Sequence, residues 1–196
     1  MTQLIPTIDQ CLHFIERYEM LSNIRDHSFM VARVAETLVI GLACNTTSAT
    51  PDSGEVIAGA LLHDIAKTRC LQNNGHHARE GQLICEELGY PHIGEIVLEH
   101  VVLKEFDEKL YEQGTFGAKE LVYYADKRVR HDQIVSLADR LDYIIERYGD
   151  KDVVKEEYIR HNFSVTFKFE QLLFSYLDFK PENLHLQLAD LFKTDH

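Results

Sequence analysis

The chain has 196 residues, 45% hydrophobic and 27% charged, with only 10 Gly and 4 Pro. That balance sets aside collagen-like, linker and wholly disordered classes, and at roughly 150 residues per domain it points to one globular body with a short appendage. Lys and Arg total 20 against 32 Asp and Glu, a net charge of −12 with His neutral, which disfavours non-specific binding to nucleic acid or to a membrane surface.

In chain order, Ile8, Cys11, Leu12 and Ile15 repeat at three- and four-residue steps, as do Val31, Val34, Leu38 and Leu42, so both segments read as amphipathic helices. No basic residue precedes Arg17 and no apolar run approaches the ~20 residues of a membrane span, which makes a cytoplasmic protein the expectation. A Thr/Ser/Pro/Asp stretch from Thr46 to Ser53 breaks the pattern, and Val56 to Ala66 follows as a mostly apolar, buried helix. Asn73, Asn74 and Gly75 form a turn. His77 to Leu88 reads as a helix stopped by Gly89 and Pro91, Ile93 to Val102 as another, and Lys104 to Gly117 as a polar loop.

Helices are expected at Ala118 to Arg130 and at Gln133 to Tyr148, the second with an apolar stripe of Ile134, Leu137, Leu141 and Ile145. Beyond Lys151, residues such as Phe167, Leu172, Phe174, Leu184 and Leu188 predict two further helices packed on the body. The aromatic tail from Phe163 to Phe179 packs either on this body or on a second copy, which leaves a homo-oligomer open. Alternating strand patterns are scarce, and neither linker nor internal repeat appears. The expected fold is all-α, a compact helical bundle over residues 1–150 with a helical extension over 151–196. Cys11, Cys44, Cys70 and Cys85 form no CxxC pair and read as reduced, buried thiols.

Eleven histidines are the unusual count. The sharpest local anomaly is His63-Asp64 at the end of the apolar run, because an unpaired carboxylate costs several kcal/mol to desolvate. Either Asp64 lies at an exposed helix end paired with Lys67 at i+3, or a buried cation compensates it. His27 shares the inward face of Val31, Val34 and Leu38, where it is either a satisfied core histidine or a ligand. Asp126 repeats the pattern beside Val122 and Val129. Imidazole and carboxylate without thiolate suit iron, manganese, zinc, cobalt or nickel, and His27, His63, Asp64 and Asp126 could surround one such ion. His77 and His100 could join Asp64 in holding a second. His13, His92, His161, His185 and His196 have ordinary surface or helix-end readings, and His131 belongs to a substrate rim or to a solvated helix end.

A His on an early helix, a later His-Asp pair and a distant Asp together resemble the HD-domain metal-dependent phosphohydrolases, over roughly Ile24 to Tyr148. His63-Asp-Ile-Ala-Lys67 is similar to that family's His-Asp-Ile-Gly-Lys variant, with Ala66 in place of Gly, and Tyr123-Tyr-Ala-Asp-Lys127 to the segment around its last Asp. The resemblance implies one divalent transition metal held by His27, His63, Asp64 and Asp126. It also implies a second held by His77 and His100, with His76 competing for the place of His77.

Two ions sharing Asp64 would activate a water to attack phosphorus and would neutralise the phosphoryl charge, so Asp64 and Lys67 carry the catalytic assignment. Lys67 and Lys127, then Lys104 and Arg130, are the cations expected to meet phosphate. Glu80, three residues after His77, is the candidate acceptor for that ring, whereas His100 needs a backbone carbonyl or another helix. The expected function is hydrolysis of a phosphate ester of a nucleotide or similar small phosphorylated metabolite. The alternatives are a diiron oxygenase of the same fold, separable by oxygen uptake, and a non-catalytic HD signalling domain, which would bind no metal.

Overall fold

The computed structural model describes residues 4–73 and 75–191. Asn74 of the expected turn and His196 lie outside these described residues.

Helix α1 (Ile8–Arg17) begins with a reciprocal cap: the Gln10 N–H donates to Thr7 Oγ1 at 3.2 Å and the Thr7 N–H to Gln10 Oε1 at 2.9 Å. It buries Cys11 and Ile15. Helix α2 (Ser22–Asn45) runs through the body with His27, Val31, Val34, Leu38 and Leu42 inward. Its length and composition correct the expectation that no stretch approaches a membrane span, although 56% of its most apolar window is buried inside the molecule.

Asp52 caps helix α3 (Ser53–Leu62) by accepting from the Glu55 N–H at 3.0 Å, and every residue from Val56 to Leu62 is buried. The helix expected to reach Ala66 stops at Leu62, residues 63–66 form a turn, and a short helix α4 (Lys67–Asn73) follows. The cause is local. The His63 ring reaches back with Nδ1 2.7 Å from the Ala60 carbonyl, the oxygen that an Asp64 N–H would need to continue the helix.

Helices α5 (His77–Glu87) and α6 (Pro91–Glu99) form a hairpin around Gly89, whose φ of +88° suits a residue without Cβ. They pack closely. A Cβ on Gly81 would lie 2.7 Å from Val97 Cγ1. Helix α6 ends at Glu99, short of the expected Val102, with His100 Nδ1 2.6 Å from the Val97 carbonyl, the same device as at His63.

The segment expected as a polar loop contains helix α7 (Glu108–Glu112) and two buried aromatics, Tyr111 and Phe116. Helix α8 (Ala118–Lys127) is buried along nearly its whole length. A two-residue hairpin of β1 (Val129–Arg130) and β2 (Gln133–Ile134) replaces the expected ends of two helices, with Val129 opposite Ile134. Helix α9 (Leu137–Tyr148) buries Leu137 and Arg140, and Ile134, Leu141 and Ile144 pack against the core, so of the expected stripe Ile145 alone gives way to Ile144.

Helix α10 (Val153–Phe174) buries Phe163, Thr166, Phe169 and Leu173, and a single 3-10 turn (Pro181–Leu186) stands where a second α-helix was expected. Phe169 meets Tyr111 and Phe116 edge-on at 5.2 and 5.7 Å, and Tyr123 Oη lies 2.6 Å from Thr166 Oγ1. Among the described residues the architecture is therefore ten α-helices with one minimal hairpin, an all-α bundle. All four thiols are free, with Cys11, Cys70 and Cys85 buried and Cys44, against expectation, exposed.

Candidate metal centre

Four elements deliver polar side chains to one buried point. α2 contributes His27, the turn after α3 contributes His63 and Asp64, α8 contributes Asp126, and the α5–α6 hairpin contributes His77 and His100. His63, Asp64 and His100 are at most 2% exposed. One atom each from His27, His63 and Asp64 lie within 4.8 Å of one another, and so do one each from Asp64, His77 and His100.

Asp64 joins the two groups through different oxygens: Oδ2 is 3.4 Å from His63 Nε2, while Oδ1 is 3.4 Å from His77 Nε2 and 3.6 Å from His100 Nε2. Asp126 Oδ1 is 3.0 Å from His27 Nε2 and 3.9 Å from His63 Nε2. All six expected residues thus converge. His76 is exposed at the α5 N-cap, whereas His77 Nε2 lies 3.4 Å from Asp64 Oδ1.

The orientation of the rings says what the cluster can hold. His27, His63 and His100 each place Nδ1 against a backbone carbonyl, that of His131 at 2.9 Å, Ala60 at 2.7 Å and Val97 at 2.6 Å. Each Nδ1 therefore donates, which leaves each Nε2 turned inward toward the carboxylates. Carboxylate oxygens only accept. Around Asp64, an unprotonated Nε2 and a carboxylate oxygen 3.4–3.6 Å away are both acceptors and repel unless a cation lies between them. Consistent with this, His63 Nε2 and Asp64 Oδ1 are buried without a hydrogen-bond partner. Nitrogen and oxygen donors with carbonyl-anchored imidazoles fit a divalent transition metal.

Charges follow the same logic. Burial works to raise the carboxyl groups, but Lys67 and His63 hold Asp64, and Lys127 and His27 hold Asp126, well below the usual carboxylate range. Burial lowers the His63 ring less than Asp64 and Asp126 raise it, so its pKa goes up. His77, chiefly by desolvation, is pushed down to about 4 and is neutral at pH 7.

The expected cations divide. Lys67 Nζ donates to Asp64 Oδ2 at 2.7 Å, and Lys127 Nζ is buried between Asp126 Oδ2 at 3.0 Å and the His100 carbonyl at 2.9 Å. Both line a cavity of about 340 Å³ that opens from the cluster. Lys104 and Arg130 do not, and the expectation that they meet phosphate there is corrected: the Lys104 amine reaches out to Glu99, and Arg130, on β1, lies over the Tyr143 ring. Glu80 turns to Arg69 at 2.9 Å, away from His77, so it is not that ring's acceptor. His131 contributes its carbonyl to His27 from a left-handed φ of +59° while its ring is exposed.

Arg140 was not anticipated. It lines the cavity, is 8% exposed, and lies 3.6 Å from Asp126 Oδ1. Its only trace in the sequence is its register, since Leu137, Arg140, Ile144 and Tyr148 share one helical face.

Comparison with curated proteins and with solved structures returned no match. A family model described as the HD domain matches residues 24–144, more than half of the chain and the stretch that carries all six clustered side chains. With a His, a His-Asp pair and a distal Asp meeting at one buried point, the chain belongs to the HD domain family.

Proposed function

We propose that this protein is a metal-dependent phosphohydrolase that cleaves a phosphate ester of a nucleotide or similar small phosphorylated metabolite. The observation that carries the proposal is the sharing of Asp64 between two donor groups, each built with inward-facing imidazole nitrogens. His27, His63, Asp64 and Asp126 would hold one divalent ion, and Asp64, His77 and His100 a second, from the series iron, manganese, zinc, cobalt and nickel. Such ions supply Lewis acidity and a water of lowered pKa.

The chain's own groups do the rest. The carbonyls of Ala60, Val97 and His131 fix three rings so that ligand geometry is set before substrate arrives. Lys67, half-buried beside Asp64, presents a positive charge at the cavity where a phosphoryl oxygen must lie. Lys127, sealed beneath, steadies Asp126. Residues of the extension, including Tyr158 and Phe163, close the cavity wall and exclude water from the reacting centre. The acidic chain supports a small soluble substrate over a nucleic acid, and a cytoplasmic location is part of the proposal.

Elemental analysis and phosphate release test this together. The unaltered chain should carry about two ions, and a His77→Ala, His100→Ala double variant about one. Asp64→Ala, checked for folding by circular dichroism, should lose both metal and turnover; retained turnover would overturn the proposal.

A further inference from the structure

The cavity's charged end and its walls differ sharply in character. Of its three cations, Lys127 is held by Asp126 and the His100 carbonyl, and Lys67, paired with Asp64 at 2.7 Å, keeps further N–H donors for the metal end of the substrate. Arg140 is the most loosely held of the three, in an ion pair with Asp126 that is too long for a hydrogen bond. Its guanidinium lies 5.5 Å over the Tyr143 ring and 3.6 Å from Asp126 Oδ1, and its Nε–H is buried with no acceptor. A guanidinium that lines the cavity, is 8% exposed and keeps an unmet donor has the chemistry to receive an anion there.

Away from that end the walls are apolar. Leu71, Val101, Tyr148 and Tyr158 line the cavity yet are each at least 38% exposed, an apolar collar around the opening. The uncharged polar side chain on this wall, Asn162, is already engaged, donating to the Val101 carbonyl at 3.0 Å and accepting from Tyr123 Oη at 2.9 Å. Among the described lining residues a second phosphate would find no further cation, and sugar hydroxyls would find little beyond the Tyr148 and Tyr158 phenols.

Resting on the phosphohydrolase reading, and narrowing its substrate from nucleotides to less polar esters, we infer that Arg140 binds the phosphoryl group of a monoester whose alcohol portion is apolar, with the collar covering that portion. Polyphosphates and polyol phosphates are then poor substrates. The side-chain chemistry thus selects one phosphate on a hydrophobic body, and 340 Å³ is within the usual size range of small-molecule sites.

The test uses metal-loaded protein and two esters of primary alcohols, benzyl phosphate and glycerol 1-phosphate. Benzyl phosphate should show a kcat/KM at least tenfold higher, and Tyr158→Ala, at an exposed position, should shrink that ratio. Calorimetry with benzylphosphonate, which cannot be hydrolysed, gives a readout independent of turnover. Arg140→Lys and Arg140→Met should keep their metal content and bind it at least tenfold more weakly, with Met the weaker. Equal turnover of the two esters, or unchanged benzylphosphonate affinity in both Arg140 variants, would overturn the inference. If benzylphosphonate binds through Arg140 while no ester is cleaved, the anion site stands and the hydrolase reading falls.

Discussion

A histidine can be recruited as a ligand only if its protons are elsewhere, and His77 has the environment for that. Desolvation depresses its pKa from 6.5 to about 4, so the fold favours the neutral ring. A depressed histidine contributes stability that is present above the unfolded value near 6.5 and is lost as pH falls toward the folded value. The thermal midpoint of metal-free protein should therefore drop between pH 6.5 and 4, and His77→Gln should flatten that part of the profile; an identical slope in the variant would refute the assignment. At this scale much was legible in the sequence, because buried His and Asp are costly and stand out against apolar neighbours. Arg140 was not legible. On paper it is one of several charges on an amphipathic helix, and only the approach of α9 to Asp126 makes it a buried one.

Periodicity located α1, α2, α5 and α6 because each has one wet and one dry face. It failed at the end of α3. The apolar run continues through Ile65 and Ala66, both buried, while the backbone has already turned. A side chain taking a carbonyl from its own helix leaves no mark in a hydropathy pattern, and the same is true at His100. The α7 segment was hidden for a different reason: Tyr111 and Phe116 are set among polar residues and are buried through tertiary contacts with Phe169 on α10 and with Tyr176 beyond it. Close packing of α5 on α6 offers a test of how ligand spacing is held. Gly81→Ala would drive a methyl group to 2.7 Å from Val97 Cγ1 and 3.4 Å from Ile65 Cγ2, both on stiff buried side chains. A loss of about 1–3 kcal/mol in urea denaturation is expected, together with weaker retention of the second ion, since His77 and His100 ride on these two helices. A variant as stable as the parent would show that the hairpin yields more than its packing suggests.

Across the whole molecule, the candidate ligands are drawn from positions 27 to 126 and meet only when α2, α3, α5, α6 and α8 are assembled. Metal at about 100 times its dissociation constant should stabilise the native state by ~2.7 kcal/mol, which for a chain of this size raises the thermal midpoint by roughly 5–11 °C. His63→Ala should abolish the increment; a variant that kept it would place the binding elsewhere. The extension belongs to the same cooperative unit in this respect, because Phe163 packs at the cavity and Tyr123, on the helix of Asp126, bonds to Thr166.

That hydrogen-bonded pair of His27 and Asp126, 99 residues apart in the chain, has a kinetic consequence. A local clip such as a zinc finger can nucleate its own folding, but a ligand set that spans so much sequence closes only after the long-range contacts have formed. An ion entering here meets a nearly finished structure. It would then act on the escape from the native state, slowing unfolding and leaving the rate of folding almost unchanged.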